Sequence, residues 1–464
     1  MQLLLMALIL GLFLYDTVAM TGPPMFNGPL IVSIVLIPKG FLALAYALQG
    51  RATYRQLRGP GAAQTLRRMD RATSIYRLFV LGLFVLDLWC GALDVIRETL
   101  GNLVLIDEAI LLVPTLAMLV WAWWVFYPID RRLREAALIR ELDSGHAFKP
   151  IRSRWSYVGA HVRHEVALVG LPLLLILAWY EAVPRLFADW PSSVQTSAQL
   201  VGSAAVFLLA PLMIRYVWDT VAMPAGDMRE HLQTLCDQHH VKVRDILLWR
   251  THSNMINAAV MGLIAPLRYI LLTESLLERM PRPQVEAVMA HELGHVRKKH
   301  MLWLLASALA ALGMIERGAA ALEPLLFPDV TSDESSILTA LLAIGGLVVW
   351  AGAFGWISRR FERQADTFAV QHLVAQRDPG SQATIDAASA RLMIETLQQV
   401  ATLNHTNPAK SNWRHGSIAW RQAYLQSLVG QRVRELSIDQ QMRWIQGISL
   451  AALAWLLVEQ LFLA

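Results

Sequence analysis

The chain has 464 residues, of which 55% are hydrophobic and 17% charged, and its mean hydropathy is +0.41. A soluble domain of that length needs more charge to cover its surface, so a wholly water-soluble protein is excluded. The formal charge of +5 says little by itself; where the positive charges sit says more, and no nucleic-acid partner is expected.

A bilayer core takes about 20 consecutive apolar residues. By that measure candidate spans are 2–20, 29–49, 76–97, 104–127, 166–187, 197–218, 301–321, 336–357 and 446–463. The first lacks a basic leader and a small-x-small cleavage site, and reads as a retained span. Asp87, Asp94, Asp107, Glu108, Glu316 and Arg317 fall inside or beside spans. Ionisable groups there are costly, so these are expected to line a cavity or to lie at span ends.

The loops alternate in charge. Loop 50–75 carries Arg51, Arg55, Arg58, Arg67, Arg68 and Arg71 against Asp70, and loop 128–165 carries eight Lys and Arg. Loops 21–28, 98–103, 188–196 and 322–335 carry none. That asymmetry predicts an amino terminus and all basic loops in the cytoplasm. It puts 219–300 and 358–445 on the same face.

The expected organisation is therefore a mainly α, polytopic integral membrane protein of about seven to nine spans. An amino-terminal membrane region, 1–218, precedes a soluble part, 219–300. A membrane hairpin, 301–357, leads to a second soluble part, 358–445, and a hydrophobic helix, 446–464. "ILLWR" (246–250), "MINAAVM" (255–261) and "RYILLTE" (268–274) are β-compatible runs, enough for a small sheet. Cys90 and Cys236 lie in an apolar and a polar run, so no disulfide framework is expected, and no CxxC pair offers thiolates to a metal. Any metal must use His and carboxylate ligands.

"PRPQVEAVMAHELGHVRKKH" reads as a helix with prolines at its entry. His291 and His295, four apart, share a face and can reach one ion. Glu292 projects beside them, where it can take a proton from a water held by the ion. Gly294 between them suits close approach of another backbone. His300, five residues past His295, falls off that face and reads as interfacial. Arg297, Lys298 and Lys299 read as a stop at the membrane boundary, with the helix running directly into a span.

Catalytic zinc sites usually have three protein ligands. "SRRFERQAD" supplies Glu362 as the third, with Asp366 one turn later placed to orient a ligand imidazole. Two spans separate His295 from Glu362, which returns the chain to the same face.

HELGH followed, after a membrane hairpin, by ExxxD resembles the membrane zinc endopeptidases of the HtpX and CAAX prenyl protease group. "NMINAAVMG" is similar to that family's Asn-Ala-x-x-x-Gly segment, with Asn257, Ala258 and Gly262 in place. "RHGSIAWRQAYL" resembles its His-Pro-x-x-x-x-Arg segment through His415 and Arg421, with Gly416 where the family usually has Pro, a change expected to loosen the turn. The resemblance covers roughly residues 225–425. It implies a zincin-like, gluzincin-type metallopeptidase domain at the cytoplasmic face of a multi-pass membrane, most naturally a bacterial inner membrane. It implies one Zn2+ per chain held by His291, His295 and Glu362. Glu292 would be the general base and His415 the oxyanion stabiliser, with Asn257 contacting substrate and Arg421 a contact near the metal site or the substrate. Substrates would be membrane-embedded or lipid-modified proteins beside the lipid bilayer, in quality control or processing. A CAAX-type prenyl-protein protease and, from another class, a transporter or channel with an incidental HELGH are the alternatives.

Overall fold

The computed structural model describes residues 28–57, 62–142, 153–251, 255–326, 332–378, 383–404, 406–434 and 436–463, with Gly380 and a few positions among the first fifteen. The chain divides into two compact units, Met1–Trp218 and Asp219–Ala464.

The first unit is helical: α1 (Gly28–Gln56), α2 (Ala62–Trp89), α3 (Ala92–Leu100), α4 (Ile106–Leu142), α5 (Arg154–His161), α6 (Leu168–Leu186) and α7 (Ser192–Val217). Five segments here are long and apolar enough to cross a membrane: Pro29–Gln56, Gln64–Trp89, Ile106–Glu135, Arg154–Leu186 and Ser192–Val217. A sixth, His300–Leu322, belongs to the second unit, so six stand among the described residues. The protein is a multi-pass membrane protein. Most of the expected span 2–20 lies outside the described residues, and 336–357 and 446–463 fall in helices whose side chains are described only in part.

The structure moves several expected boundaries. Span 76–97 ends at Trp89, because the chain turns through Cys90-Gly91 and restarts as α3, which carries Asp94. Much of the expected basic loop 50–75 is helix. α1 runs on through Arg51 and Arg55, and α2 already carries Arg67, Arg68 and Arg71. Long cationic side chains reach water from a helix that outruns the hydrocarbon, so no break is needed there.

Asp87, Asp94, Asp107 and Glu108, four of the acids near spans, are paired. Asp87, 1% exposed, bonds buried Lys39. Arg97 holds Asp107 and Glu108, each at 2.6 Å. Tyr15 donates to Asp94, and Arg317 lies 3.1 Å from Glu459. A buried charge with a partner avoids the large penalty of an isolated one.

The second unit holds a four-stranded sheet, β1 (Thr220–Ala222), β2 (Asp245–Trp249), β3 (Ala258–Met261) and β4 (Tyr269–Thr273), in the order β1-β2-β4-β3. β2 and β4 run parallel, with Asp245 opposite Tyr269; β3 runs antiparallel to β4, with Ala258 opposite Leu272. β4 is buried at all five positions, as its unbroken apolar run requires, and β3 is an edge strand. Around the sheet are α8 (Asp227–Gln238), α9 (Glu274–Arg279), α10 (Arg282–Arg297), α11 (His300–Leu326), α12 (Ser332–Arg377), α13 (Ala387–Leu403), α14 (Ile418–Ser427) and α15 (Ser437–Leu463).

α10 is buried on two sides. Val285, Met289 and Leu293 join the core formed with α8 and the sheet, while Ala287 and Ala290 join the core formed with α12 to α15. Glu286 adds a polar tie, with His372 Nε2 of α12 at 2.9 Å and His231 Nε2 of α8 at 3.1 Å. Small residues let α12 come close: a Cβ built on Gly294 would stand 3.2 Å from Ala365 Cα and 3.1 Å from Phe368 Cβ. α10 does not continue into the following span. It ends at Arg297, Lys299 takes a left-handed conformation (φ 55°), and α11 restarts at His300.

Gly294→Val should destabilise the protein by about 1–3 kcal/mol, the usual effect of overpacking a tight contact. Gly294→Ala should lose less, because alanine recovers about 1 kcal/mol of helix propensity. Thermal unfolding in detergent measures both, and an unchanged midpoint for Gly294→Val would contradict the close approach.

Candidate metal centre and active site

Two helices bring the chemistry together. α10 presents His291 and His295 one turn apart, with Nε2 atoms 3.2 Å from each other. α12 brings Glu362 across, its carboxylate oxygens 3.7 Å from each Nε2. One ligand atom from each of the three residues lies within 4.8 Å of the others. Two imidazole nitrogens and a carboxylate, converging and mostly buried, are a donor set that fits zinc with a position left open.

The His291 imidazole is also held from behind. His291 Nδ1 lies 2.9 Å from Asp366 Oδ1. Burial works to lower His291, and the Asp366 carboxylate more than offsets it, leaving the ring raised from its ordinary value. His295 is held well below its ordinary value, by burial first, so it stays neutral with a lone pair to give.

Arg421 sits between the two carboxylates of α12. Its Nε and Nη2 donate to Asp366 Oδ2 and Oδ1 at 2.7 and 2.6 Å, and its Nη1 lies 3.2 Å from Glu362 Oε2. His415 Nδ1 is 2.8 Å from Glu362 Oε1. Burial works to raise Glu362, but Arg421, His415 and His295 outweigh it and hold the carboxyl well below the usual range. Asp366 is likewise lowered against its burial, chiefly by Arg421.

Glu292 faces the same space without belonging to the ligand group. Burial, reinforced by Glu362, pushes it up to about 7, against the pull of His291, the Val260 N–H and His415. A carboxylate titrating near neutrality suits a group that accepts and returns a proton.

These residues line a cavity of about 580 Å³. Asn257, at the entrance to β3, and His415 are exposed on its wall; Arg421, 9% exposed, also borders it. Met393, Leu397 and Val400 of α13 form an apolar side, and Met301 and Leu302 carry the lining onto the first turn of the span in α11. The turn that carries His415 is closed by backbone bonds on both sides. Asn412 and Gly416 exchange backbone bonds of 3.0 and 2.9 Å, and Gly416 sits at φ 74°. Proline offers neither that φ nor the N–H.

Residues 223–429, a little under half of the chain, match the profile of peptidase family M48. This stretch is a peptidase family M48 domain. A protease HtpX homolog of Aeropyrum pernix is 25% identical over 233 residues, 49% of this chain and 72% of that one. A CAAX prenyl protease 1 homolog of Arabidopsis thaliana is 28% identical over 174 residues, 35% of this chain and 40% of that one. The match therefore spans well under half of the plant relative. Among solved structures, S. mikatae Ste24p aligns with 87% of this chain and 100% of its own at 15% identity and a TM-score of 0.49, a likeness too loose to bear on the fold.

M48 peptidases are metalloproteases that depend on zinc in general, and the donor set of this domain fits that metal. One feature of the M48 domain differs from the sequence reading. His300 is not interfacial: it is 3% exposed, stacks on Phe361 and lies 2.9 Å from His295. On a straight helix, five residues is about 140° round from His295. The break at Lys298-Lys299 swings His300 back, and no spacing rule signals it. Arg421, expected near the metal site or the substrate, spends its hydrogen bonds on Asp366 and its third nitrogen on Glu362, beside the candidate metal site.

Arg421→Ala would leave two buried carboxylates side by side. Removing one partner of a buried pair destabilises by about 3–5 kcal/mol. Arg421→Lys should fall between, since lysine keeps the charge but not the two-pronged geometry. Unfolding measurements read this directly; a raised KM with wild-type stability would instead make Arg421 a substrate contact.

Proposed function

We propose that this protein is an integral membrane zinc endopeptidase that hydrolyses peptide bonds of membrane-embedded or lipid-modified proteins at the cytoplasmic face of a bacterial inner membrane, in quality control or processing. The observation that carries the reading is the convergence of His291 Nε2, His295 Nε2 and Glu362 on one wall of a cavity that also contains Glu292. The Arg-rich helix ends and loops, which alternate with segments lacking Lys and Arg, support this side of the membrane. Met301 and Leu302, which extend the cavity lining onto a membrane span, support this class of substrate.

His291, His295 and Glu362 would hold the ion, with Asp366 orienting His291. When bound, zinc supplies a Lewis acid that polarises a carbonyl and brings the pKa of water toward neutrality. The remaining work belongs to the chain. The open edge of β3 accepts the substrate backbone as an added strand, with Asn257 at its entrance fixing the register. The apolar side formed by Met393, Leu397 and Val400 takes a hydrophobic side chain next to the scissile bond. Glu292 accepts a proton from the attacking water and returns it to the leaving amine nitrogen. His415, on the cavity wall beside Glu362, donates to the oxygen that gains charge.

The apolar lining near the span also favours a second reading, a CAAX-type prenyl-protein protease. Cleavage of a farnesylated peptide but not of the same peptide without its lipid would select that reading.

Glu292→Gln keeps the side chain's size and removes its basicity. Turnover of a membrane-protein substrate should fall by about 10²–10⁴, while zinc content stays at the wild-type level. Asp366→Asn should instead weaken zinc binding by roughly 10–100-fold, and added zinc should restore part of its activity. Loss of zinc from Glu292→Gln, or its rescue by added zinc, would remove Glu292 from the role of base.

A further inference from the structure

The second ligand histidine has a support of its own, and it reaches far from the site. His295 Nδ1 lies 2.9 Å from His300 Nδ1. His300 Nε2 lies 2.9 Å from Gln364 Oε1, and Gln364 Nε2 donates to Asp439 Oδ1 at 2.6 Å. Lys298 Nζ, just past the end of α10, donates to the same Asp439 oxygen at 2.9 Å. The hydrogen bonds thus form a ring through α10, α11, α12 and α15 and back to α10. His300 and Gln364 are 3% and 5% exposed, and Phe361 stacks on the His300 ring with centroids 4.5 Å apart and planes 7° off parallel.

The donors and acceptors around this ring admit one consistent arrangement. Asp439, paired with Lys298, is a carboxylate and only accepts. Gln364 therefore turns its amide nitrogen toward Asp439 and its oxygen toward His300. His300 then donates through Nε2 and accepts through Nδ1. His295 must carry its proton on Nδ1, which leaves the lone pair on Nε2, the atom facing His291 and Glu362. That is the tautomer a metal ligand needs. We infer that His300, Gln364 and Asp439 are positioning residues that fix the tautomer and ring orientation of His295 for zinc, in the role Asp366 plays for His291. The inference rests on the zinc-site reading above.

The arrangement also separates the two ligands chemically. His291 is backed by a carboxylate, whereas His295 is backed by a neutral imidazole whose polarity is set two bonds away. Replacing Asp439 by Asn removes the charge that strengthens the bonds from Lys298 and Gln364, and so weakens the order of donors along the chain without touching any ligand.

The test measures zinc affinity by competition with a chelator, and the visible spectrum of the cobalt-substituted protein, for His300→Leu, His300→Asn and Asp439→Asn. His300→Leu should weaken zinc binding by roughly 10–100-fold, the usual effect of losing the partner behind a ligand imidazole. His300→Asn keeps an acceptor facing His295 and should recover part of the loss. Asp439→Asn should weaken binding by several-fold and shift the cobalt bands, with folding intact because Asp439 is a partly exposed first-turn residue of α15. Wild-type affinity and an unshifted spectrum in Asp439→Asn and in folded His300→Leu would overturn the inference. If His300→Leu does not fold, Asp439→Asn alone decides. Failure of the wild-type protein to bind zinc, or retention of zinc by His291→Ala, would overturn the zinc-site reading instead.

Discussion

The site depends on how closely α10 and α12 approach each other. Glu362 lies 67 positions from His295 and 71 from His291 in the chain, and no local rule joins them. Gly294 and Ala365 allow the approach, because neither has a side chain large enough to hold the helices apart. Ala287 and Ala290 continue the same small-residue seam along α10, and Ala369 continues it along α12. Once the helices are in register, one turn of each supplies His291, His295, Glu362 and Asp366. Interior packing is dense enough that a change of a few tenths of an ångström in this seam reaches the ligand geometry.

Burying that much charge in one place needs compensation, and the sequence supplies it locally. Glu362 and Asp366 share one guanidinium, Arg421, which comes from α14. Its fork matches a carboxylate in a way a lysine does not. The result is a set of groups with distinct states in one small volume: carboxylates held low at Glu362 and Asp366, a neutral ring at His295, and a Glu292 raised to about 7. Pushing neighbouring titratable groups apart in this way is what acid–base chemistry requires.

Much of this is legible in the sequence because it is periodic. HELGH and ExxxD put paired groups on one helical face, and of the three β-compatible runs 246–250 overlaps β2, while 255–261 and 268–274 contain β3 and β4. β1 is three residues long, too short for alternation to show. Spans are legible as apolar stretches, but their ends are not. The helix of 76–97 stops at a turn inside the apolar run, and Arg-rich segments thought to be loop are helix. Least legible are the contacts that depend on a break in regular structure. His300 reaches His295 only because Lys299 leaves the helical region, and Asp439 reaches Gln364 across 75 positions of chain. Arg421 has the right motif spacing, yet spacing does not tell whether its guanidinium faces substrate or two buried carboxylates.

The central claim is that His291, His295 and Glu362 together bind one zinc ion. X-ray absorption at the zinc edge of the purified protein tests it most directly, compared with Glu362→Ala. The account predicts about one zinc per chain in the wild type, with two imidazole nitrogens at ~2.0–2.1 Å and carboxylate or water oxygen completing a four-coordinate shell. It predicts loss of the ion in Glu362→Ala. Zinc bound through a single imidazole or through sulfur, or an unchanged zinc shell in Glu362→Ala, would contradict it.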